Sequence, residues 1–203
     1  MRRLEHARLV SVRQGSGVTV RNWRTEATLD SLGLLVRHTR DPHERATVLM
    51  DLLIGRMAVL EHAVALAAER RTEAQLSRIE AIIGEQISAY HARDRDALMA
   101  GDMALVESLV EAANSITARW IANSFVDVYR QLASGARALW LFHPGFPEYL
   151  DGLRDALQRR DDERAKSLTR DYYAQSDEMV IRALRAMTAR VPTPSESVTA
   201  NAE

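Results

Sequence analysis

The chain has 203 residues, 46% of them hydrophobic, which is enough to bury a sizeable core in one main domain. It has no cysteine, no apolar run long enough to span a bilayer, and no signal-peptide pattern. These features exclude disulfide scaffolds and favour a cytoplasmic protein without a membrane partner. Residues 1–24 contain six arginines and one glutamate, so their formal net charge is +5, whereas that of the remaining residues is −6. A basic end on an acidic body is typical of a phosphate-contacting segment, although an arginine-rich flexible terminus is the alternative.

The first predicted elements are the end of a helix and a β-hairpin. Residues 2–9 have helical spacing, with Leu4 and Ala7 on one side. Valines follow at positions 10, 12, 18 and 20, with the two-residue period of a strand. The sequence Gly15-Ser16-Gly17 between them supplies the positive-φ positions of a tight reversal. A helix leading into a basic hairpin is typical of the end of a winged helix-turn-helix.

From Thr25 onward the hydrophobic period is helical, with no convincing strand, and this predicts an all-α antiparallel bundle. A linker helix is predicted to end near Arg40, and Asp41-Pro42 is a strong start signal for the next helix. The first two predicted bundle helices span about 42–71 and Thr72 through Ile87. A break at Gly101-Asp102 precedes a helix at about 103–121, and an Asn123-Ser124 cap begins the next, which ends near 141. The last two predicted helices span about 147–159 and 161–188. The tail, 191–203, has little to pack and is predicted to be disordered.

Two stretches resemble a known family. The pattern R-R-L-E-x-x-x-L-V-x-V-R-Q-G-S-G-x-x-V from Arg2 closely resembles the wing of the GntR family of bacterial transcription regulators. The bundle is similar to the C-terminal effector domain of the FadR subfamily, through residues 66–70 (LAAER), 72–76 (TEAQL), 122–123 (AN) and 170–173 (RDYY). The resemblance implies four parts: 1–23, the end of a winged helix; 24–40, a linker helix; 41–190, an effector-binding and dimerisation domain; and 191–203, the tail. It also implies that the base-reading helices precede Met1, so that either the sequence is truncated or its start is assigned too far downstream.

The resemblance implies a function in transcription. A ligand-responsive regulator of this type binds a palindromic operator as a homodimer, and a stand-alone effector-binding or dimerisation module without a DNA reader is the alternative. The implied DNA-contacting residues are Arg2, Arg3, Arg8, Arg13, Gln14, Gly15 and Arg21. We predict no enzyme and no catalytic residue, because the chain has no GxGxxG, P-loop or HExxH motif.

The resemblance also bears on ligands. Most members of this domain class hold a divalent metal with an Asp-x-x-x-His pair on one helix and two later histidines. Counted back from Asn123, those positions are Val110 and Asn114, then a site near Leu150, and Tyr172. We therefore predict no metal and no cofactor. The metal-free, acyl-CoA-responsive branch implies the effector residues Arg56, Asn114, His143 and Tyr172. The alternatives are an internal ion pair for Arg56, a core position for Tyr172, and a water or backbone partner for Asn114. A fatty acyl-CoA is the first expectation for the effector, and an organic acid or an amphipathic drug is the alternative.

Overall fold

A small N-terminal unit precedes the bundle in the computed structural model, which describes residues 2–13, 17–28, 31–133 and 142–188. Helix α1 (Arg2–His6) leads into strands β1 (Val10–Arg13) and β2 (Gly17–Val20). The two strands pair antiparallel, with Val10 opposite Val20 and Val12 opposite Val18. Gly17 has a φ of +87°, which favours glycine at the end of the turn. The predicted two-stranded hairpin is therefore confirmed.

The predicted single linker helix is wrong, because the segment forms two short helices. Helix α2 (Trp23–Glu26) begins where the Asn22 side chain accepts the Arg24 N–H. It ends at Ala27, whose extended backbone (φ −67°, ψ 159°) breaks the helical hydrogen bonding before α3 (Leu32–His38). The buried Ser31 hydroxyl donates to the Ala7 carbonyl at 2.7 Å. The start of α3 is thereby tied to the N-terminal unit.

The remaining described residues form the predicted all-α bundle. Its helices are α4 (Pro42–Arg70), α5 (Glu73–His91), α6 (Arg95–Ala112), α7 (Ile116–Ala133), α8 (Phe146–Arg159) and α9 (Asp162–Thr188). Helix α4 packs along α9, α5 along α6, and α8 against both α5 and α9. Fully buried side chains from α5, α6 and α8 form the centre of the core: Ile79, Ile83, Leu109, Leu150, Leu153 and Leu157. No helix in the described ranges is long and apolar enough to cross a membrane.

Local capping residues explain three of the helix starts. The Asp41 carboxylate accepts the His43 N–H at 2.9 Å, with Pro42 in the first turn. Thr72 and Gln75 form a reciprocal capping box at the start of α5. The Asp161 carboxylate accepts the Arg164 N–H at 2.9 Å ahead of α9. The helix starts at Asp41-Pro42, at Thr72 and near residue 161 were predicted, and the structure confirms them.

The predicted break at Gly101-Asp102 is wrong, because both residues lie inside α6. Gly101 serves close packing instead of a turn: a Cβ placed there would come within 2.9 Å of the Gln86 Cγ. The predicted helix start at Asn123-Ser124 is also wrong, because both residues lie inside α7. That helix begins eight residues earlier, where the Ser115 hydroxyl accepts the Ala118 N–H at 3.2 Å. The predicted helix end near 141 and the tail, 191–203, lie outside the described residues.

Gln86 gives a stability prediction. Its side chain is buried against Gly101, and neither Nε2 nor Oε1 has a hydrogen-bond partner among the described residues. Burying an unsatisfied amide costs free energy that an apolar side chain does not cost. We expect Gln86→Met to raise the free energy of unfolding by about 1 kcal/mol in urea titrations. Gln75→Met, which removes the capping box, is the control and should lower it by about 1 kcal/mol. A Gln86→Met protein less stable than the wild type would contradict the prediction.

Candidate functional site

A cavity of about 70 Å³ lies between α4, α6, α7 and α9. Its walls are mostly apolar, with Leu52, Val59, Leu60 and Ala63 from α4, Met103, Val106 and Val110 from α6, and Ala122 and Phe125 from α7. Three polar side chains from three different helices complete the lining: Arg56, Asp102 and Tyr173. An apolar cavity with a few convergent polar groups is the usual form of a small-molecule site.

Arg56 is the centre of the polar wall. Its guanidinium forms an ion pair with Asp177 of α9, and both side chains are largely buried, 18% and 10% exposed. The Arg56 Cζ also lies 4.9 Å from the centroid of the Tyr173 ring, a cation–π distance. A planar guanidinium in this position suits a carboxylate or phosphate, which it can bind through two parallel hydrogen bonds. In this structure an internal carboxylate, that of Asp177, occupies that role.

Tyr173 links Arg56 to Asp102. Its hydroxyl donates to the Asp102 Oδ1 at 3.4 Å. Burial raises the pKa of Tyr173 well above its usual value, and the negative charge of Asp102 raises it further. The hydroxyl therefore stays protonated and acts as a donor over the physiological pH range. The polar wall joins α4, α6 and α9 through these contacts.

The pKa of the Asp177 carboxyl group reflects the burial of its charge. Burial raises the pKa of this carboxyl above its usual value, and the Arg56 guanidinium opposes the increase. The ion pair therefore keeps a partly desolvated carboxylate charged. Loss of Arg56 as a partner would favour protonation of Asp177.

The structure separates the four predicted effector residues. Arg56 lines the cavity, but His143 and Tyr172 lie in an aromatic cluster beside it and are not part of its lining. Their rings meet edge-on at 5.3 Å, and Tyr172 stacks on Tyr149 at 4.4 Å. Burial raises the pKa of Tyr172 far above its usual value. The cavity tyrosine is its neighbour Tyr173, because adjacent residues on a helix point about 100° apart.

Asn114 lies apart from the other three. It occupies the turn after α6 with a left-handed φ of 46°, and it is exposed. Its amide donates to the Arg70 carbonyl at the end of α4. Arg70 lies fourteen positions, or about 21 Å along the helix, from Arg56. The expectation that Asn114 and Arg56 share one site is therefore corrected. Asn114 instead lies in the turn between α6 and α7.

The assignment of the metal-ligand positions, which was counted back from Asn123, is also corrected. An Asp-x-x-x-His pair needs both residues on one helix, whereas α6 ends at Ala112 and Asn114 lies beyond it. Asp102 and Val106 have that spacing on α6 and both line the cavity, so a carboxylate stands there without a histidine four residues later. Among the described residues, no three His, Cys, Asp or Glu side chains are grouped as a metal site would require. One carboxylate beside a positively charged guanidinium is not a suitable ligand set for a divalent cation. Metal independence stays a prediction.

The predicted DNA-contacting arginines belong to the N-terminal unit. Arg2, Arg8 and Arg13 are exposed, and Arg8 has a left-handed φ of 55°. Arg21 forms an ion pair with Glu26 at 2.5 Å, so its charge is partly compensated. The Arg3 side chain, Gln14 and Gly15 lie outside the described part of the structure. The unit thus presents several cations on its surface, as a phosphate-contacting segment does.

Sequence reasoning missed three polar residues of the site: Asp102, Tyr173 and Asp177. Asp102 had been assigned to a helix break, yet an acidic residue between Leu98, Leu105 and Leu109 on an apolar face was a signal for a buried carboxylate. Tyr173 is part of the quoted RDYY motif but was passed over for Tyr172. No local signal marks Asp177, whose partner lies 121 residues away.

Comparisons with known proteins agree with this architecture. A family model described as the FCD domain matches residues 51–175, which include the whole cavity lining. Among solved structures with the same fold is the GntR protein of Streptococcus agalactiae, with a TM-score of 0.50 and 20% identity. The alignment covers 93% of this chain and 78% of that one. No curated protein is similar enough in sequence to be matched.

Proposed function

We propose, from the premise that this chain belongs to the GntR family and carries its FCD domain, that it is a transcriptional regulator whose DNA binding responds to a compact apolar carboxylate. The observation that carries the proposal is the apolar cavity with Arg56 in its wall. Residues 1–23 would serve as the wing end of the DNA-binding domain, 24–40 as the linker and 41–190 as the sensor. A homodimer would match the symmetry of a palindromic operator.

The ligand class follows from the cavity. Its walls bury apolar carbon, and Arg56 provides a fork for one anionic group. At about 70 Å³ the cavity is smaller than the roughly 150 Å³ of an engineered apolar cavity that holds benzene. A long acyl chain needs several times that space, so a short organic or aromatic acid is favoured over the acyl-CoA that the resemblance first implied. Any such ligand has to displace a wall of the cavity as it enters.

That displacement supports a route to the DNA-binding end. Helix α7 contributes Ala122 and Phe125 to the cavity and packs against α3 on another side. Helix α3 also contacts α4, and the Ser31 hydrogen bond joins its start to the N-terminal unit. A ligand that binds better when α7 is displaced would shift the population of α3 positions, and with it the placement of the DNA reader.

The test is a thermal-shift screen of short aliphatic acids, aromatic acids, dicarboxylates, long-chain fatty acids and acyl-CoAs. We expect a short or aromatic acid to stabilise the wild type by several degrees and to have no effect on Arg56→Met. Arg170→Met is the matched control, because Arg170 also joins α9 to α4, through Glu61, but outside the cavity. It should keep the full response. Stabilisation only by acyl-CoA, or an equal response in Arg56→Met, would overturn the proposed ligand class.

The regulatory part of the proposal has its own measurement. The stabilising acid should change the affinity of the protein for DNA, measured by fluorescence anisotropy at fixed salt because phosphate contacts are salt-dependent. A ligand that binds through Arg56 and leaves DNA affinity unchanged would contradict a role as effector.

A further inference from the structure

Helix α7 has apolar side chains on two opposite faces. Ala118 and Ala122 point inward, and they are buried. On the outside, Ile116 and Trp120 lie one turn apart and are each 65% exposed, with Ile121 beside them at 40%. A helix that packs on one side only shows polar residues on its outer face, so this second apolar face needs a partner. We call Ile116, Trp120 and Ile121 the outer face of α7.

We propose that the outer face of α7 is the surface through which two copies of this chain associate. The inference rests on the proposed function for the expectation of a dimer, and it adds the location of the interface. Among residues 116–125, the part of α7 whose side chains the structure describes, the other exposed side chains are Thr117, Asn123 and the cation Arg119. A nucleic acid or an anionic membrane requires several cations, whereas an aromatic residue with aliphatic neighbours and one arginine is the usual composition of a protein interface.

The size of the surface fits a self-associating pair. The three apolar side chains expose on the order of 300 Å², the size at which an apolar patch on a monomer marks an interaction site. Helix α7 is 18 residues long, or about 27 Å. Two such helices packed face to face can bury about 500 Å² from each chain, which reaches the lower bound of a specific interface.

The position of the face connects association to sensing. The same helix lines the ligand cavity with Ala122 and Phe125, and it packs against α3. An axis at α7 therefore brings the two α3 helices of a dimer close to each other. A ligand-induced shift of α7 would alter both the dimer contact and the separation of the two DNA-binding ends.

Sedimentation velocity of the full chain tests the proposal. At protein concentrations of tens of micromolar, we expect the wild type to sediment as a species of twice the 22.8 kDa chain mass. Trp120→Glu should raise the dimer dissociation constant at least a hundredfold, because the substitution acts twice in each symmetric interface. Val20→Glu is the matched control, since Val20 is even more exposed but lies on β2. It should leave the dimer unchanged. Circular dichroism checks that Trp120→Glu keeps its helices.

Cysteine cross-linking gives a second readout that does not depend on destabilisation. The chain has no cysteine, so single replacements at Ile116, Trp120 and Asn123 can form only intermolecular disulfides. We expect at least one of them to give a covalent dimer on mild oxidation, while Asp155→Cys on the exposed side of α8 does not. A monomeric wild type, or a dimer unaffected by Trp120→Glu, overturns the interface. A monomeric wild type would also contradict the homodimer of the proposed function, whereas neither result changes the ligand response of Arg56, so failure of the interface and failure of the ligand proposal are distinguishable.

Discussion

Replacing Arg71 with methionine is expected to lower the free energy of unfolding by about 3 kcal/mol. Arg71 is only 5% exposed, although it follows the last residue of α4. Its guanidinium donates to the carbonyls of Leu157 and Gln158, at 3.1 and 3.0 Å, and forms an ion pair with Glu73. Methionine keeps much of the side-chain volume but leaves these carbonyls without their cationic donor. Hydrogen bonds to charged groups contribute about 1.5–3 kcal/mol each, and a cation is favoured at a helix C-terminus.

The measurement is the urea unfolding midpoint, followed by circular dichroism, with the slope of the transition unchanged. Arg70→Met is the matched control. Arg70 is the preceding residue, is exposed, and pairs with its neighbour Glu69 at the surface. That change should stay within about 0.5 kcal/mol of the wild type, as is usual for exposed ion pairs. Equal effects of the two substitutions would show that the guanidinium contacts of Arg71 do not hold α8 in place.

The elements that sequence predicted best are those whose boundaries depend on a few adjacent residues. Asp41 with Pro42, and Thr72 with Gln75, specify helix starts through local hydrogen bonds that any fold would keep. The hairpin is equally local, since the alternating valines mark two neighbouring strands, and these strands pair in the structure. The structure confirms these elements because no distant contact competes with them.

The elements that were predicted wrongly depend on distant contacts. Gly101 was interpreted as a helix breaker, but the Gln86 side chain of the preceding helix, α5, lies so close that a Cβ at position 101 would clash with it. The real boundary lies at Asn114, where a non-glycine residue adopts a left-handed φ and bonds to the end of α4. Glycine signals either a turn or a close approach, and only packing decides between them.

The candidate site shows the same limit. Arg56 was identified from a family resemblance, because nothing in its own neighbourhood distinguishes it from a surface arginine. The choice between Tyr172 and Tyr173 depends on the rotation of α9 about its axis, which sequence does not specify to within one residue. Asp177 gains its role from a partner on α4. The polar wall of the cavity is therefore a product of tertiary packing.

That polar wall leads to the second large effect, since Asp177→Asn is expected to lower stability while it strengthens ligand binding. Asparagine keeps the shape of the side chain but removes the charge that compensates Arg56. Breaking a buried ion pair from one side is costly, so we expect the unliganded protein to lose about 2–3 kcal/mol. A ligand carboxylate would then meet the Arg56 guanidinium without competition from the charge of Asp177. We expect its dissociation constant to fall at least tenfold in isothermal titration calorimetry.

The pH dependence of binding checks the same mechanism. When the ligand takes Arg56, Asp177 loses the partner that lowers its pKa, and burial then favours its protonated form. Binding therefore takes up a proton, and wild-type affinity should rise as the pH falls towards the raised pKa of Asp177, while the ligand itself stays ionised. Asp177→Asn should lose this slope. Asp171→Asn, an exposed substitution on the same helix, should keep both the slope and the affinity of the wild type. If affinity in Asp177→Asn matches the wild type at every pH, Asp177 and the ligand do not compete for Arg56.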